Sequence, residues 1–356
     1  MKLTPRECDD AILILICQQY MDGMGPTQIQ TWLKEEFGHH VNREGVYPML
    51  REAAKRGILV LHAQAHEQLQ QRLRDQFDRR RERIHVSGYS ADGHSGSGKQ
   101  TREFVSRAAA RRIVELIHEV SRIKSEVSIG LGGGGTVMCV ARELADALCQ
   151  ESYVPDLRLH AVSSGFDVKN PWTAPTSFFG YFERCPTKVR HVALFAPPIV
   201  RFSDYEDVKD QAGVKESFQM AEKIDIVVTS LASAEDEHCD LNRFMRYDGE
   251  SDGSSKAELQ ARGWKGDAIY RSFNAEQPID AEDGNRAVSL FELHELVELA
   301  KAEDKHVVLV AAPCGICSRT KEDALLPLLI QERLRIWSDV FMDMGTARLL
   351  VERDED

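Results

Sequence analysis

Val127-Ser128-Ile129-Gly130-Leu131-Gly132-Gly133-Gly134-Gly135-Thr136-Val137 is the stretch around which the rest of the chain falls into order. An apolar run of strand character enters five glycines within six residues, and helix periodicity begins at Thr136. Glycine serves where the backbone needs positive φ or must approach a ligand closely. A helix start leaves N–H groups without intrahelical partners, so Gly132, Gly133, Gly134 and Gly135 with the Thr136 hydroxyl read as an anion site. The plainer alternative is a tight strand-to-helix turn that binds nothing. Gly130-x-Gly132-x-x-Gly135 formally fits a dinucleotide fingerprint, yet the next β-like run, 157–162, ends in Ser163-Ser164-Gly165 without a clear acidic residue. A P-loop is excluded, because no Gly-Lys-Ser/Thr follows.

Outward from this junction, helix and strand patterns alternate. Helical periodicity at 102–119 precedes the strand at 127–130, a helix covers 136–148, and further β-like runs lie at 157–162, 189–196, 224–229 and 306–312. That alternation predicts an α/β domain over 100–356, with a Rossmann-like parallel sheet flanked by helices. Ligands of such sheets bind beyond the carboxyl ends of the strands, which draws attention to Ser163, Ser164, Gly165 and Asp167. Ordinary turn chemistry explains Ser163 as well. Asp267, in a Gly-Asp turn, is a candidate for sugar hydroxyls, and Arg319 or Lys321 for pairing a phosphate at a helix start.

On the amino-terminal side the pattern is different. Residues 10–20 are periodic in Ile12, Leu13, Leu15, Ile16 and Tyr20; Gly23, Gly25 and Pro26 interrupt; Thr27 opens a second helix with Ile29, Trp32, Leu33 and Phe37 on one face. A short turn, Gly38-His39-His40-Val41, leads to a third helix ending near Arg56, and Ile58-Leu59-Val60-Leu61 is β-like. Three helices and a strand give the winged helix-turn-helix plan for residues 1–63, a DNA-binding domain. Asn42, Arg43, Tyr47, Arg51 and Lys55 would face DNA, whereas Glu44 opposes phosphate. Pro48 is awkward in a helix, but Gly45-Val46-Tyr47-Pro48-Met49-Leu50 resembles the Tyr-Pro-x-Leu of PadR-type winged helices, which implies a proline near the helix start. Residues 64–99 read as a linker, with a polar helix over 66–84 followed by a loop rich in glycine and serine.

Charge divides along the same boundary. Residues 1–86 carry 13 basic and 12 acidic side chains, so the rest of the chain holds the acidic excess behind the net −12. A nearly neutral amino-terminal segment is a weak electrostatic footprint for nucleic acid, since phosphate neutralisation supplies most non-specific affinity. No apolar run reaches eighteen residues and the amino terminus lacks the order of an export signal, so a cytoplasmic protein with free thiols at its 8 cysteines is expected. Cys314-Gly315-Ile316-Cys317 has redox or half-zinc-site spacing. One pair cannot hold structural zinc, no second Cys-x-x-Cys exists, and His294 and His306 show no ligand spacing. No metal and no cofactor are therefore expected.

The order of motifs resembles the SorC/DeoR-type sugar-binding regulators, whose effector domain is similar to sugar-phosphate isomerases and CoA-transferases. The glycine loop, the His160-Ala161-Val162-Ser163-Ser164-Gly165 segment and the strand ending Ala196-Pro197 follow the family's order. So do the run from Ala221 to Ser230, the Gly266-Asp267-Ala268-Ile269 turn with Phe273 and Pro278, and the strand at 308–312 leading to Lys321. The chain departs from the pattern in its run of glycines and in insertions at 167–177, 248–263 and 313–320. The resemblance implies operator DNA and a phosphorylated sugar as partners, a homo-oligomer (dimer or tetramer), and regulation of transcription rather than catalysis. Two alternatives stay open. One is an isomerase- or deaminase-type enzyme on the same fold, with Asp225, His238 and Asp240 as candidate acids and bases; the other is a redox-sensing regulator using Cys314 and Cys317.

Overall fold

Between His306 and Ala312 every side chain but the first is buried, and successive residues face opposite ways. Val307, Leu309 and Ala311 enter one apolar layer; Val308, Val310 and Ala312 enter another. A strand covered on both faces reads as a continuous apolar run, as parallel sheets require. A computed structural model describes all residues except 1–3, 6–7, 61–63, 78–82, 89–96, 166, 168, 248–253, 280–284 and 354–356. It divides the chain into two compact units, Met1–His62 and Ala63–Asp356.

The second unit is α/β. Seven strands lie parallel in the order β1 (Arg83–Ser87), β11 (Asp339–Asp343), β10 (His306–Ala311), β6 (Ile226–Ser233), β2 (Glu126–Leu131), β3 (Asp156–Ala161) and β4 (Val189–Val192). An antiparallel hairpin, β7 (Gly266–Ala268) and β8 (Arg271–Phe273), extends from the last residues of β6. A separate pair joins β5 (Ile199–Arg201) to β9 (Asn285–Ala287). Helices α5 (Ser97–Ser121) and α6 (Gly135–Leu148) cover one face. The other is covered by α4 (Glu67–Phe77), α7 (Tyr205–Lys209), α8 (Val214–Ala221), α11 (Leu293–Lys301), α12 (Glu322–Ile330) and α13 (Met344–Glu352). Two further helices, α9 (Asp240–Tyr247) and α10 (Ser254–Ala261), lie between β6 and β7 in the chain.

One expectation changes here. Residues 64–99 are not simply a linker. Leu69, Leu73 and Phe77 of α4 enter the main core, and β1 pairs with β11 along its whole length, from Arg83 to Ser87. Three apolar residues spaced along a polar helix read as part of a linker; the α13 residues that pack on them lie some 270 residues away in sequence. The basic run at 79–82 and Gly93 and Gly96 lie outside the described residues.

The first unit packs α1 (Asp10–Met21), α2 (Pro26–Phe37) and α3 (Val46–Lys55) around Leu13, Ile16, Ile29, Leu33, Met49 and Ala53. Each helix has a local start signal: the Asp9 carboxylate accepts from the Ala11 N–H (2.8 Å), Pro26 opens α2, and the Asn42 side chain accepts from the Gly45 N–H (2.8 Å) just before α3. Pro48 lies in the first turn of α3, where no intrahelical N–H is required. Arg56 fastens the end of α3 to the start of α1 through Asp10 (2.8 Å) and the Cys8 carbonyl (2.9 Å). Ile58 and Leu59 pack on this core outside any described strand; the run continues through Leu61, which lies outside the described residues.

Candidate functional site

The β2–α6 junction carries the site. Gly132 donates its N–H to Val228 O (2.9 Å) on β6, and Gly134, at φ 102°, donates to Thr173 O (2.9 Å). Two of the four loop amides are therefore satisfied internally. Gly135, Thr136 and Val137 form the first turn of α6, whose N–H groups have no intrahelical acceptor, and the first helical bond runs from Met138 to Gly134 O (3.0 Å). These amides face a cleft of about 150 Å³ at the carboxyl ends of β2, β6 and β10. The glycine run thus offers fewer free amides than the sequence suggested, and the helix start offers the rest.

Close packing shows why glycine is required. A Cβ on Gly133 would meet the Tyr270 hydroxyl at 2.3 Å, and one on Gly135 would meet the Arg102 guanidinium at 3.0 Å. A Cβ on Gly315, in the loop after β10, would meet the same guanidinium at 2.5 Å. Arg102, from the first turns of α5, is thus held between the two loops. Its Nε is buried without a hydrogen-bond partner, and it makes no ion pair with any described residue. Tyr270 occupies the turn between β7 and β8, where Ile269 and Tyr270 both have positive φ (49° and 63°). Non-glycine residues in that region are strained, and the turn directs the Tyr270 hydroxyl to the Asp240 carboxylate (3.1 Å) beside the glycine loop.

Buried carboxylates complete the cleft. Asp267 Oδ2 has no hydrogen-bond partner; burial, reinforced by the nearby Asp240, pushes its pKa up from 3.8 to about 7, against the pull of Lys321. Asp240 is also raised by burial, opposed by the Tyr270 hydrogen bond. Lys321 is fully enclosed, donates to the Leu231 carbonyl, and is pushed down by burial against the attraction of Asp236 and other anionic groups. A cleft that gathers a free arginine, a carboxyl group poised near neutrality and unsatisfied amides can hold an anion at one end and hydroxyl groups at the other.

Several expected residues lie here: Gly133, Gly134, Gly135, Thr136, Asp267 and Lys321 line the cleft. Gly132 packs beneath it against β6. Arg319 is exposed and pairs with Glu235 (2.5 Å), and so is taken up outside the cleft. Ser164 Oγ donates to Leu194 O (3.4 Å), and Gly165 abuts Ala174; neither lines the cleft. The neighbouring Ser163 is the better placed, its buried hydroxyl lying 3.4 Å from the Cβ position of Gly133 and unpartnered. One residue of displacement along an extended chain reverses the face, so the two serines point to different neighbours. Asp225 stands at the opposite end of β6, paired with Lys124 (2.5 Å), and is no candidate acid; His238 and Asp240 do line the cleft.

Sequence reasoning missed Arg102, Tyr270 and the Cys-x-x-Cys partners. A single arginine near a helix start carries no local signal. The Cys314/Cys317 pair is not alone: Asp236 and His238, from the turn after β6, bring their ligand atoms within 4.8 Å of both sulfurs and of one another. The search of the sequence considered only His294 and His306, whereas the turn after the adjacent strand β6 places Asp236 and His238 beside the pair.

In the first unit, α3 buries Val46, Met49 and Ala53 and exposes Tyr47, Arg51 and Lys55, each four residues apart on the opposite face. Arg43 is exposed just ahead of it, and Asn42 is occupied as a cap.

No protein-family model and no curated protein sequence matches the chain. Solved structures do. The full-length sorbitol operon regulator SorC from Klebsiella pneumoniae superposes with a TM-score of 0.63 at 18% identity, covering 97% of this chain and 99% of that one. The fold is that of the SorC/DeoR-type regulators. A DeoR family transcriptional regulator from Listeria monocytogenes matches with a TM-score of 0.58 at 18% identity, over 80% of this chain and 98% of its own. A transcriptional regulator from Streptococcus pneumoniae TIGR4 gives 0.57 at 14% identity, over 82% and 98%. Among the described residues no helix is long and apolar enough to cross a membrane.

Proposed function

We propose that this chain is a DNA-binding transcriptional regulator whose second unit binds a phosphorylated sugar that alters operator affinity. The observation that carries the reading is Arg102: a half-buried guanidinium over the first turn of α6, its Nε buried without a hydrogen-bond partner and with no ion pair to any described residue, beside amides that lack intrahelical acceptors. A phosphate at that point would accept from the Gly135–Val137 amides, 135–137, and the Thr136 hydroxyl while neutralising Arg102. Sugar hydroxyls would meet Asp267, Asp240 and Tyr270, two carboxyl groups and a phenol with opposed donor and acceptor needs. Similarity to solved regulators supports the regulatory reading.

In the first unit, α3 is the helix that reads DNA, with Arg43, Tyr47, Arg51 and Lys55 outward. A homo-oligomer presents two such helices to paired half-sites, and an effector acts only by favouring one arrangement over another. Asn42 contributes by shaping the helix start.

Thermal denaturation against a panel of phosphorylated sugars, each beside its unphosphorylated counterpart, tests the effector half. A phosphorylated member should raise the midpoint, its counterpart should not, and Arg102→Gln should weaken binding about 10–100-fold, the loss of a charge-assisted contact. No stabilising sugar phosphate, or full response in the Arg102 variant, refutes the assignment. For the DNA half, Arg51→Ala or Lys55→Ala should lower operator affinity and reduce the salt slope by about one. Asp267 near neutrality, in a cleft that His238 also lines, favours a second reading, an isomerase- or deaminase-type enzyme; turnover of ribose 5-phosphate or glucosamine 6-phosphate would establish it.

A further inference from the structure

The turn after β6 and the loop after β10 follow adjacent strands, so both emerge at the same edge of the sheet. From the first come Asp236 and His238; from the second, Cys314 and Cys317. Cys314 Sγ lies 3.9 Å from His238 Nδ1, Cys317 Sγ lies 3.9 Å from Asp236 Oδ1, and His238 Nδ1 lies 3.4 Å from Asp236 Oδ1. Around tetrahedral zinc, bond lengths of about 2.0–2.3 Å set ligand edges of roughly 3.4–3.6 Å for these atom pairs. These three pairs stand within a few tenths of an ångström of that figure, and all four donors lie within 4.8 Å of one another. We infer that Asp236, His238, Cys314 and Cys317 form a binding site for a thiophilic divalent cation of the zinc type, clamping the β6 and β10 loops together.

Local structure prepares the donors. Asp236 Oδ1 accepts the His238 N–H (2.9 Å), and the Asn242 side chain donates to the Asp236 carbonyl (2.9 Å), fixing the turn. The Cys314 N–H donates to Arg319 O and its carbonyl accepts from Ser318 (both 2.9 Å), closing the loop around the pair; Ser318 takes a positive φ of 61° to do so. Three anionic donors, two thiolates and a carboxylate, exceed a divalent ion by one charge, and the buried Lys321 ammonium lies within electrostatic reach of Asp236 and Cys314 to balance it. Cys317 is exposed and His238 is half-buried, which leaves a path for entry. Two ligands from each of two strand ends explain why the motif resembled only half a site. Because Cys314 is followed by Gly315, on which Arg102 rests, the ion would order the loop that holds the cleft's cation.

Titrating the reduced full chain with Co²⁺ and with Zn²⁺ tests this, independently of any effector. The expected result is one ion per chain, a thiolate-to-cobalt charge-transfer band with the visible bands of tetrahedral cobalt, and Zn²⁺-dependent thermal stabilisation. Cys317→Ser, at an exposed position, should weaken Zn²⁺ binding roughly 100-fold or more, and Asp236→Asn roughly 10-fold; the control Cys149→Ser should change nothing. Absence of the charge-transfer band in reduced protein overturns the site, as does Zn²⁺ affinity unaltered in Cys317→Ser with the fold intact by circular dichroism. Formation of a Cys314–Cys317 disulfide on oxidation, with no metal bound after reduction, would also overturn it and leave a thiol switch instead.

Discussion

The two ends of the parallel sheet treat buried charge in opposite ways. At the amino ends of the strands each charge has partners. Asp225 is held by Lys124 (2.5 Å), Lys305 (3.6 Å) and the Ser128 N–H (2.9 Å); Asp339 by Arg112 (3.2 Å) and His85 (3.0 Å); Glu126 by Arg158 (2.8 Å) and Arg190. At the carboxyl ends, Arg102 Nε, Asp267 Oδ2 and Ser163 Oγ are buried with no partner. Just inside that end, His160 is buried with neither ring nitrogen bonded, and burial pushes it down to about 4, keeping it neutral. Folding alone favours satisfying such groups. Arg102 and Asp267 line one cleft, where the proposed ligand would supply the missing partner, so the comparison sets a well-satisfied end of the sheet against an under-satisfied one.

Asp267 should give the largest departure. Its carboxyl group has a folded pKa of about 7 against an ordinary 3.8, so the native state holds a proton that the unfolded chain has already released between those values. Stability should therefore fall as pH rises from about 4 to about 7, by an amount on the order of a few kcal/mol, and Asp267→Asn should flatten that slope. Denaturant unfolding at a series of pH values checks it; an unchanged slope in the variant removes Asp267 from the account. Asp225→Ala should next cost about 1–3 kcal/mol, because the Ser128 N–H loses its acceptor and two lysines lose their carboxylate, with effector binding untouched. Loss of binding without loss of stability would erase the contrast between the ends.

Arg102→Gln sharpens the contrast from the other side: it should leave the denaturation midpoint unchanged or slightly higher while weakening the effector. The smallest effect belongs to Ser163→Ala. Removing a hydroxyl that bonds to nothing should shift stability by within about 0.5 kcal/mol, and its effector affinity should drop a few-fold if the serine faces bound ligand. A destabilisation of several times that size would mean the hydroxyl has a structural partner.

Local pattern revealed much of this. Apolar runs two residues in period, glycine at the β2–α6 junction and the alternation of helix with strand were enough for the parallel α/β sheet, because each is a short-range signal. So was the outward face of α3, where Tyr47, Arg51 and Lys55 repeat at helical spacing opposite Met49 and Ala53. Asp267 and Lys321 line the cleft, although Asp267 lies within β7 rather than in the turn that Gly266-Asp267 suggested.

What the chain could not disclose along its length is which distant residues converge. The linker read from a polar helix at 66–84 depended on partners the sequence does not display, and β11 and α13 decided it. Parity decided between Ser163 and Ser164. Arg102 reached the cleft from a helix that precedes the glycine loop, and His238 met Cys314 across a separation of 76 residues. Periodicity and turn chemistry are written in neighbouring residues, whereas a site is made by strand order, and strand order is fixed only when the whole sheet buries its two apolar faces.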